Sequence, residues 1–111
     1  MRFALVLLVA LAVAAPAAAR AVKPSLTLAA AQPATVRGAH FARLERVRVS
    51  FGTGDNSATR TVRTTASGTF VATAPAAFAY SPCGAPLVVS AVGARGDRAT
   101  LKVPQRECPS P

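Results

Sequence analysis

Apolar and polar residues alternate in a series of short runs along the chain after residue 24, and Gly, Pro, Asp and Asn separate these runs. Alternation with a period of two is typical of strands that bury one face, and no long helical period of apolar residues occurs in this part of the chain. In the clearest run, Arg46–Phe51, valine and phenylalanine occupy one face while arginine and serine occupy the other. The pattern predicts seven strands: Leu26–Leu28, Thr35–Gly38, Arg46–Phe51, Thr59–Thr65, Thr69–Thr73, Leu87–Val92 and Arg98–Val103.

These elements predict an all-β fold. Seven short antiparallel strands in about 80 residues are typical of an immunoglobulin-like β-sandwich, and a closed small barrel is the alternative. We expect the sandwich to occupy residues 25–105, with a C-terminal tail at 106–111 that carries Cys108. The segment Ala74–Pro86 is rich in Ala and Pro and is predicted to be irregular.

The last two predicted strands indicate a disulfide. A hairpin centred on Arg95 and Gly96 places Cys83 opposite Cys108, because each cysteine lies twelve residues from that centre. Closing a loop of this length stabilises a fold by about 3–4 kcal/mol on the chain-entropy model. The same register directs a mostly apolar face inward and makes three pairs: Val88 with Val103, Ser90 with Leu101, and Val92 with Ala99.

The first nineteen residues have the layout of a secretory signal peptide, with a positive start, an apolar run at 3–15 and small residues at 17–19. Cleavage after Ala19 leaves a short linker at 20–24 and no transmembrane anchor. An uncleaved membrane anchor is the alternative, but the segment is shorter than the about 20 residues that a spanning helix needs, and it contains Pro16. We therefore expect an exported protein, secreted or held in the cell envelope, where disulfides persist.

A pattern of strand and turn residues begins at Val36. The pattern Val-x-Gly-x-Gly-Phe-x-Pro-Gly-Glu-x-Val-x-Val is matched by Val36, Gly38, Phe41, Glu45, Val47 and Val49. His40 stands at the second Gly, and Arg43-Leu44 replaces the Pro-Gly turn. This segment, with the later Gly-x-Phe turn in Ala66–Phe70, resembles bacterial secreted immunoglobulin-like (IPT/TIG-like) domains and, more distantly, the neocarzinostatin-like fold. The resemblance implies a sandwich and places no catalytic residue.

Positive charge dominates the chain, since 13 Lys and Arg face 4 Asp and Glu for a net charge of +9. In an immunoglobulin-like topology the third, sixth and seventh strands are neighbours, so their outward basic residues share one face. Such a face attracts an acidic polymer or another anionic component of the envelope. A solvated strand face in an arginine-rich composition is the alternative. The scarcity of aromatic residues argues against specific nucleic-acid recognition. The predicted site consists of Arg46, Arg48, Arg98 and Lys102, with Arg63 on the adjoining edge.

Other motifs carry less chemistry. Arg95-Gly96-Asp97 resembles integrin-binding loops, although Gly and Asp are also the residues that a tight turn favours. Two cysteines and the single His40 cannot complete a tetrahedral metal site, and no Cys-x-x-Cys pair is present. No nucleophile lies in a recognisable elbow. We therefore expect no cofactor and no enzyme activity.

The sequence predicts an exported, non-catalytic binding module for an anionic partner, and it does not indicate an oligomeric state. Two alternatives remain open. One is a small carrier of an apolar ligand, of neocarzinostatin-like type, in which Phe78 and Tyr80 line a cleft of the sandwich. The other is a purely structural protein of the envelope. Salt dependence separates electrostatic binding from apolar capture, because only the first weakens steeply as salt rises.

Overall fold

The computed structural model describes residues 22–109. The predicted signal peptide at 1–19 and the start of the linker at 20–24 lie outside the described residues. Each of the seven predicted strands corresponds to an observed one. In chain order these are β1 (Ser25–Ala31), β2 (Ala34–Ala39), β3 (Arg46–Thr53), β4 (Asn56–Arg63), β5 (Phe70–Thr73), β6 (Leu87–Gly93) and β7 (Arg98–Val103). Residues 74–86 contain neither helix nor strand, as expected.

The strands form two antiparallel sheets, ordered β1-β2-β5 and β4-β3-β6-β7. Buried apolar side chains from both sheets make up one hydrophobic core. This arrangement is compatible with a β-sandwich, and the described strands do not close into a single barrel. The order also places β3 beside β6, and β6 beside β7, as the sequence predicted.

Alternation along β3 explains how this strand holds the second sheet against the core. Val47, Val49 and Phe51 are almost completely buried, whereas Arg46 and Arg48 are exposed on the opposite face. A strand directs successive side chains to opposite faces, so the period-two pattern fixes both faces at once. The prediction for this strand is confirmed.

The register predicted for the final hairpin is wrong by one residue. The strands are joined by a three-residue loop, Ala94–Gly96, rather than by a two-residue turn centred on Arg95 and Gly96. The Gly93 N–H donates to the Asp97 carbonyl at 2.8 Å, and the Gly96 N–H donates to the Gly93 carbonyl at 2.9 Å. Gly96 has φ 98°. A glycine in the left-handed region at the third position is typical of such loops.

This shift of one residue reverses the faces of β6. Leu87, Val89 and Ala91 point into the core and are fully buried, while Val88 and Val92 are partly exposed on the outer face. The predicted pairs at Val88, Ser90 and Val92 are therefore replaced. The observed pairs on the inner face are Leu87 with Val103, Val89 with Leu101, and Ala91 with Ala99.

The structure contains the predicted disulfide between Cys83 and Cys108, whose Cα atoms lie 5.7 Å apart. Both cysteines are exposed. Two hydrogen bonds support the bridge: the Arg106 N–H donates to the Pro82 carbonyl at 2.8 Å, and Gln105 Nε2 donates to the Cys83 carbonyl at 3.2 Å. The bridge thus fastens the C-terminal tail to the irregular segment before β6.

Candidate functional site: a basic sheet face

The outer face of the four-stranded sheet brings together the basic residues that the sequence predicted. Paired residues of neighbouring strands lie on the same face of a sheet. Arg46 pairs with Arg63 on β4, and Arg48 pairs with Val92 on β6, which in turn pairs with Arg98 on β7. All four arginines are exposed. We call Arg46, Arg48, Arg63 and Arg98 the arginine cluster.

Lys102 lies on the same outer face but apart from the arginine cluster. It pairs with Val88, which pairs with Gly52 at the far end of β3. Lys102 follows Arg98 by four positions along β7, which corresponds to about 13 Å at the usual rise of a strand. The four arginines therefore lie toward one end of the strands, and Lys102 lies toward the other end.

No acidic residue pairs with any member of the arginine cluster in the register of the sheet. The partners of Arg48 are Thr61 and Val92, and the partner of Arg46 on β4 is Arg63. Like charges placed directly opposite each other on two strands destabilise the pairing. Folding alone gives no reason for the Arg46–Arg63 pair.

An open depression of about 540 Å³ lies between members of the cluster. Its floor includes Val92, whose side chain is 37 % exposed. Apolar surface here lies beside the Arg46 and Arg48 side chains, and this combination suits a partner that presents both charge and hydrocarbon. The lining residues are Arg46, Arg48, Thr61, Val92, Gly93 and Ala94.

The loop between β2 and β3 adjoins this end of the sheet and has two residues in the left-handed region. His40 has φ 65° and Leu44 has φ 51°. These are the two positions at which the sequence pattern expects glycine and this chain has another residue. Both side chains are exposed, and 47 % of the Leu44 side chain faces solvent. Left-handed backbone costs a residue other than glycine about 1–2 kcal/mol.

A buried carboxylate ties this loop to the β6–β7 loop. Glu45 is only 4 % exposed; its Oε1 accepts a hydrogen bond from the Arg95 N–H at 3.0 Å, and its Oε2 accepts one from the Ala42 N–H at 3.2 Å. Asp97 Oδ2 accepts from the same Ala42 N–H at 2.8 Å. The two carboxyl groups also lie within hydrogen-bonding reach of each other.

The environments of the two acids move their pKa values apart. Burial raises the pKa of Glu45, and the hydrogen bond with Asp97 raises it further. Burial also acts to raise the pKa of Asp97, but the hydrogen bonds from Glu45 and the Ala42 N–H outweigh it, so this pKa is lowered. As acid is added, Glu45 therefore takes up its proton before Asp97 does.

Two further residues support Glu45. The Thr64 Oγ1 accepts a hydrogen bond from the Glu45 N–H at 2.8 Å and donates to the Ala42 carbonyl at 2.7 Å. Gly93 lies directly against the carboxylate, because a Cβ added there would be 2.6 Å from Glu45 Cδ and 2.8 Å from Oε1. The site thus needs glycine at this position for space. The hydrogen bonds around Glu45 were not predicted from the sequence, in which Glu45 was only one match to a turn pattern.

The tripeptide Arg95-Gly96-Asp97 lies at the hairpin tip, where the sequence predicted it. Arg95 is exposed, but the Asp97 carboxylate is directed toward the Ala42 N–H. A carboxylate that holds two loops together is not free to bind an external cation. The geometry therefore gives the adhesion hypothesis no support.

The two aromatic residues proposed for an apolar cleft lie in and beside the core. Tyr80 is 8 % exposed, and its carbonyl accepts a hydrogen bond from Gln32 Nε2 at 3.1 Å. The Phe78 ring packs against that of Phe51 with centroids 5.8 Å apart. Phe78 and Tyr80 both line an open depression of about 440 Å³, together with four alanines and three other residues.

Residues 22–109 contain no group of three or more His, Cys, Asp and Glu side chains that could hold a metal ion. In the same part of the chain, no helix is both long enough and apolar enough to cross a membrane. Comparisons with models of known protein families, with curated proteins and with solved structures found no match.

Proposed function

We propose that this protein is an exported, non-catalytic, immunoglobulin-like module that docks on an anionic partner through the arginine cluster. The arrangement of the strands supports the fold. The first, second and fifth strands form one sheet. The third, sixth and seventh are adjacent strands of the other, as in immunoglobulin-like sandwiches. The fourth strand pairs with the third, which extends the second sheet. A disulfide between Cys83 and Cys108 supports an oxidising compartment.

One observation carries the binding function: the direct pairing of Arg46 with Arg63 inside a cluster that has no acidic register partner. This pairing costs stability, and an anion bound between the two guanidinium groups offsets the repulsion. A solvated face has no need to place two arginines opposite each other. The Val92 side chain between Arg48 and Arg98 adds a small apolar contact at the centre of the cluster.

Retention on immobilised heparin, measured over a range of salt concentrations, tests the proposal. If four arginines contact anionic groups, raising the salt from 50 to 200 mM weakens binding by about 100-fold. The double variant Arg46→Ala/Arg48→Ala loses two of these contacts, so the slope of log affinity against log salt becomes less steep by about two.

Arg37 and Arg106 supply the matched control. Both are exposed; Arg37 lies on β2 in the other sheet, and Arg106 lies in the C-terminal tail. The variant Arg37→Ala/Arg106→Ala removes the same charge and leaves the arginine cluster intact. Equal loss of retention in the two double variants would mean that only net charge matters, and the proposed site would be wrong.

An apolar-ligand carrier is less well supported, because Tyr80 is already buried in the core. Salt-independent capture of an apolar dye would favour that alternative. A purely structural envelope protein would bind neither heparin nor such a dye.

A further inference from the structure

Leu44 occupies a position that folding does not explain. Its N–H donates to the Thr65 carbonyl at 3.1 Å, so the turn is well anchored, yet the residue has φ 51°. Glycine or asparagine adopts this conformation with little strain. The leucine side chain gains little from packing in return, since 47 % of it is exposed. An apolar side chain is therefore held in solvent at a position that disfavours it.

Basic residues lie close to Leu44 along the chain and in the adjoining loops. Arg43 precedes it directly, and Arg46 of the arginine cluster follows two residues later. The Thr65 carbonyl that anchors Leu44 lies two residues after Arg63, so both loops leave the sheet beside the Arg46–Arg63 pair. Arg95 is exposed at the adjacent hairpin tip.

The two acidic residues at this end direct their carboxyl groups to backbone N–H groups of the loops. Glu45 is buried and accepts hydrogen bonds from the Ala42 and Arg95 N–H groups, and the Asp97 carboxylate is directed to the Ala42 N–H. The end of the sandwich that carries the β2–β3 and β6–β7 loops, which we call the loop end, therefore presents the apolar Leu44 side chain within a positively charged surface.

We infer that the anionic partner is a lipid bilayer with anionic headgroups, which this end of the protein contacts with Leu44 inserted at the interface. The inference rests on the proposed function and names the partner class. Interfacial binding combines buried apolar area with attraction of basic side chains to anionic lipid. A soluble polyanion satisfies the arginines equally well, but it offers no hydrocarbon in which to bury Leu44. Exposed Val92, among the arginines of the cluster, favours the same partner.

Sedimentation with vesicles tests the inference. The purified protein is mixed with vesicles of phosphatidylcholine alone or of phosphatidylcholine and phosphatidylglycerol in equal amounts. We expect binding to the anionic vesicles only. The Leu44→Asn variant suits the left-handed backbone and removes the apolar contact, so it should bind these vesicles about fivefold more weakly. Its retention on heparin should be unchanged.

Val71 provides the matched control, since 54 % of it is exposed on β5 in the other sheet. Val71→Thr should bind both kinds of vesicle as the parent protein does. The Arg43→Ala variant should lower binding to the anionic vesicles about fivefold, which corresponds to one basic residue near the surface.

The outcomes separate this inference from the proposed function. Retention on heparin without binding to anionic vesicles would overturn the bilayer inference and leave the docking function in place. Loss of both would overturn both. Equal vesicle binding by the parent protein and Leu44→Asn would show that Leu44 does not insert, and the inference would fail.

Discussion

Replacing Gly93 by alanine should destabilise the fold by displacing the buried Glu45 side chain at the loop end. The added Cβ would collide with the Glu45 carboxylate, whose Cδ lies 2.6 Å from the ideal Cβ position. Glu45 is buried and Gly93 belongs to the paired strand β6, so neither can move freely. The carboxylate must leave the position in which it accepts hydrogen bonds from the Ala42 and Arg95 N–H groups.

The expected cost follows from those two hydrogen bonds. A buried polar group that loses its partner costs about 1–3 kcal/mol, so the free energy of unfolding should fall by about 2–4 kcal/mol. For a domain of this size, each 1 kcal/mol lowers the melting temperature by roughly 4–8 °C. A decrease of about 10–30 °C is expected in a thermal melt followed by circular dichroism.

Gly52 supplies the control, because a Cβ added there would meet only the Val88 carbonyl oxygen at 3.9 Å. Gly52→Ala should change the stability by less than about 0.5 kcal/mol, as an uncrowded surface substitution does. In a Glu45→Ala background the collision is removed, so Gly93→Ala should then cost almost nothing. The reasoning is refuted if Gly93→Ala is as mild as Gly52→Ala, or if its cost persists without the carboxylate.

Three further changes have expected outcomes. The raised pKa of Glu45 stabilises the fold below pH 4.5, and this contribution is lost as the pH rises through the raised value. The lowered pKa of Asp97 stabilises it above pH 3.8, and this contribution is lost as the pH falls through the lowered value. Urea unfolding at a series of pH values should therefore place the maximum contribution of the pair near pH 4, and Glu45→Gln should remove the decline on the alkaline side. Thr64→Val leaves a buried N–H and a buried carbonyl without their partner, so urea unfolding should show a loss of about 2–3 kcal/mol. Replacing Cys83 and Cys108 by serine opens a loop with a sequence separation of 25 and should lower the free energy of unfolding by about 3–4 kcal/mol.

Each of these measurements has a matched control. Glu107→Gln alters an exposed carboxylate in the tail and should leave the dependence on pH in place. Thr61→Val alters an exposed threonine on β4 and should be nearly neutral. Treatment of the parent protein with a reductant should match the double serine variant. A pH profile unaffected by Glu45→Gln, or equal costs at Thr64 and Thr61, would contradict the proposed hydrogen-bond network.

Period-two alternation predicted the strands well where the two faces differ in polarity. Arg46–Phe51 alternates strictly, so both faces of β3 followed from the sequence. Leu87–Val92 is apolar at nearly every position, and alternation alone cannot select its inner face. The choice then depends on the loop, where the glycine at position 96 suits a three-residue loop. The predicted register of the final hairpin was wrong because the hydrophobic pattern of β6 does not distinguish its two faces.

The basic face was predictable because alternation assigned Arg46 and Arg48 to the outer face of β3 and because the neighbouring strands were inferred correctly. The carboxyl pair was not, since its contacts join residues 50 and 55 positions apart through loops. Nothing local to Glu45 distinguishes a buried carboxylate from an exposed one. The departure from glycine at Leu44 was visible in the sequence, but its positive φ and its exposure became evident only in the folded chain.

The hydrogen-bonded acids Glu45 and Asp97 lie at the same end of the four-stranded sheet as the exposed arginines. Glu45 and Asp97 connect the β2–β3 loop to the β6–β7 loop through backbone N–H groups rather than through surface ion pairs. An exposed carboxylate at either position would neutralise an adjacent arginine and weaken attraction to any anion. Glu45 is buried and Asp97 is partly buried, and the backbone hydrogen bonds that they accept offset part of the cost of desolvation. The network that stabilises the loop end therefore directs both carboxyl groups toward backbone donors and away from the arginine cluster, which favours the proposed docking on an anionic partner.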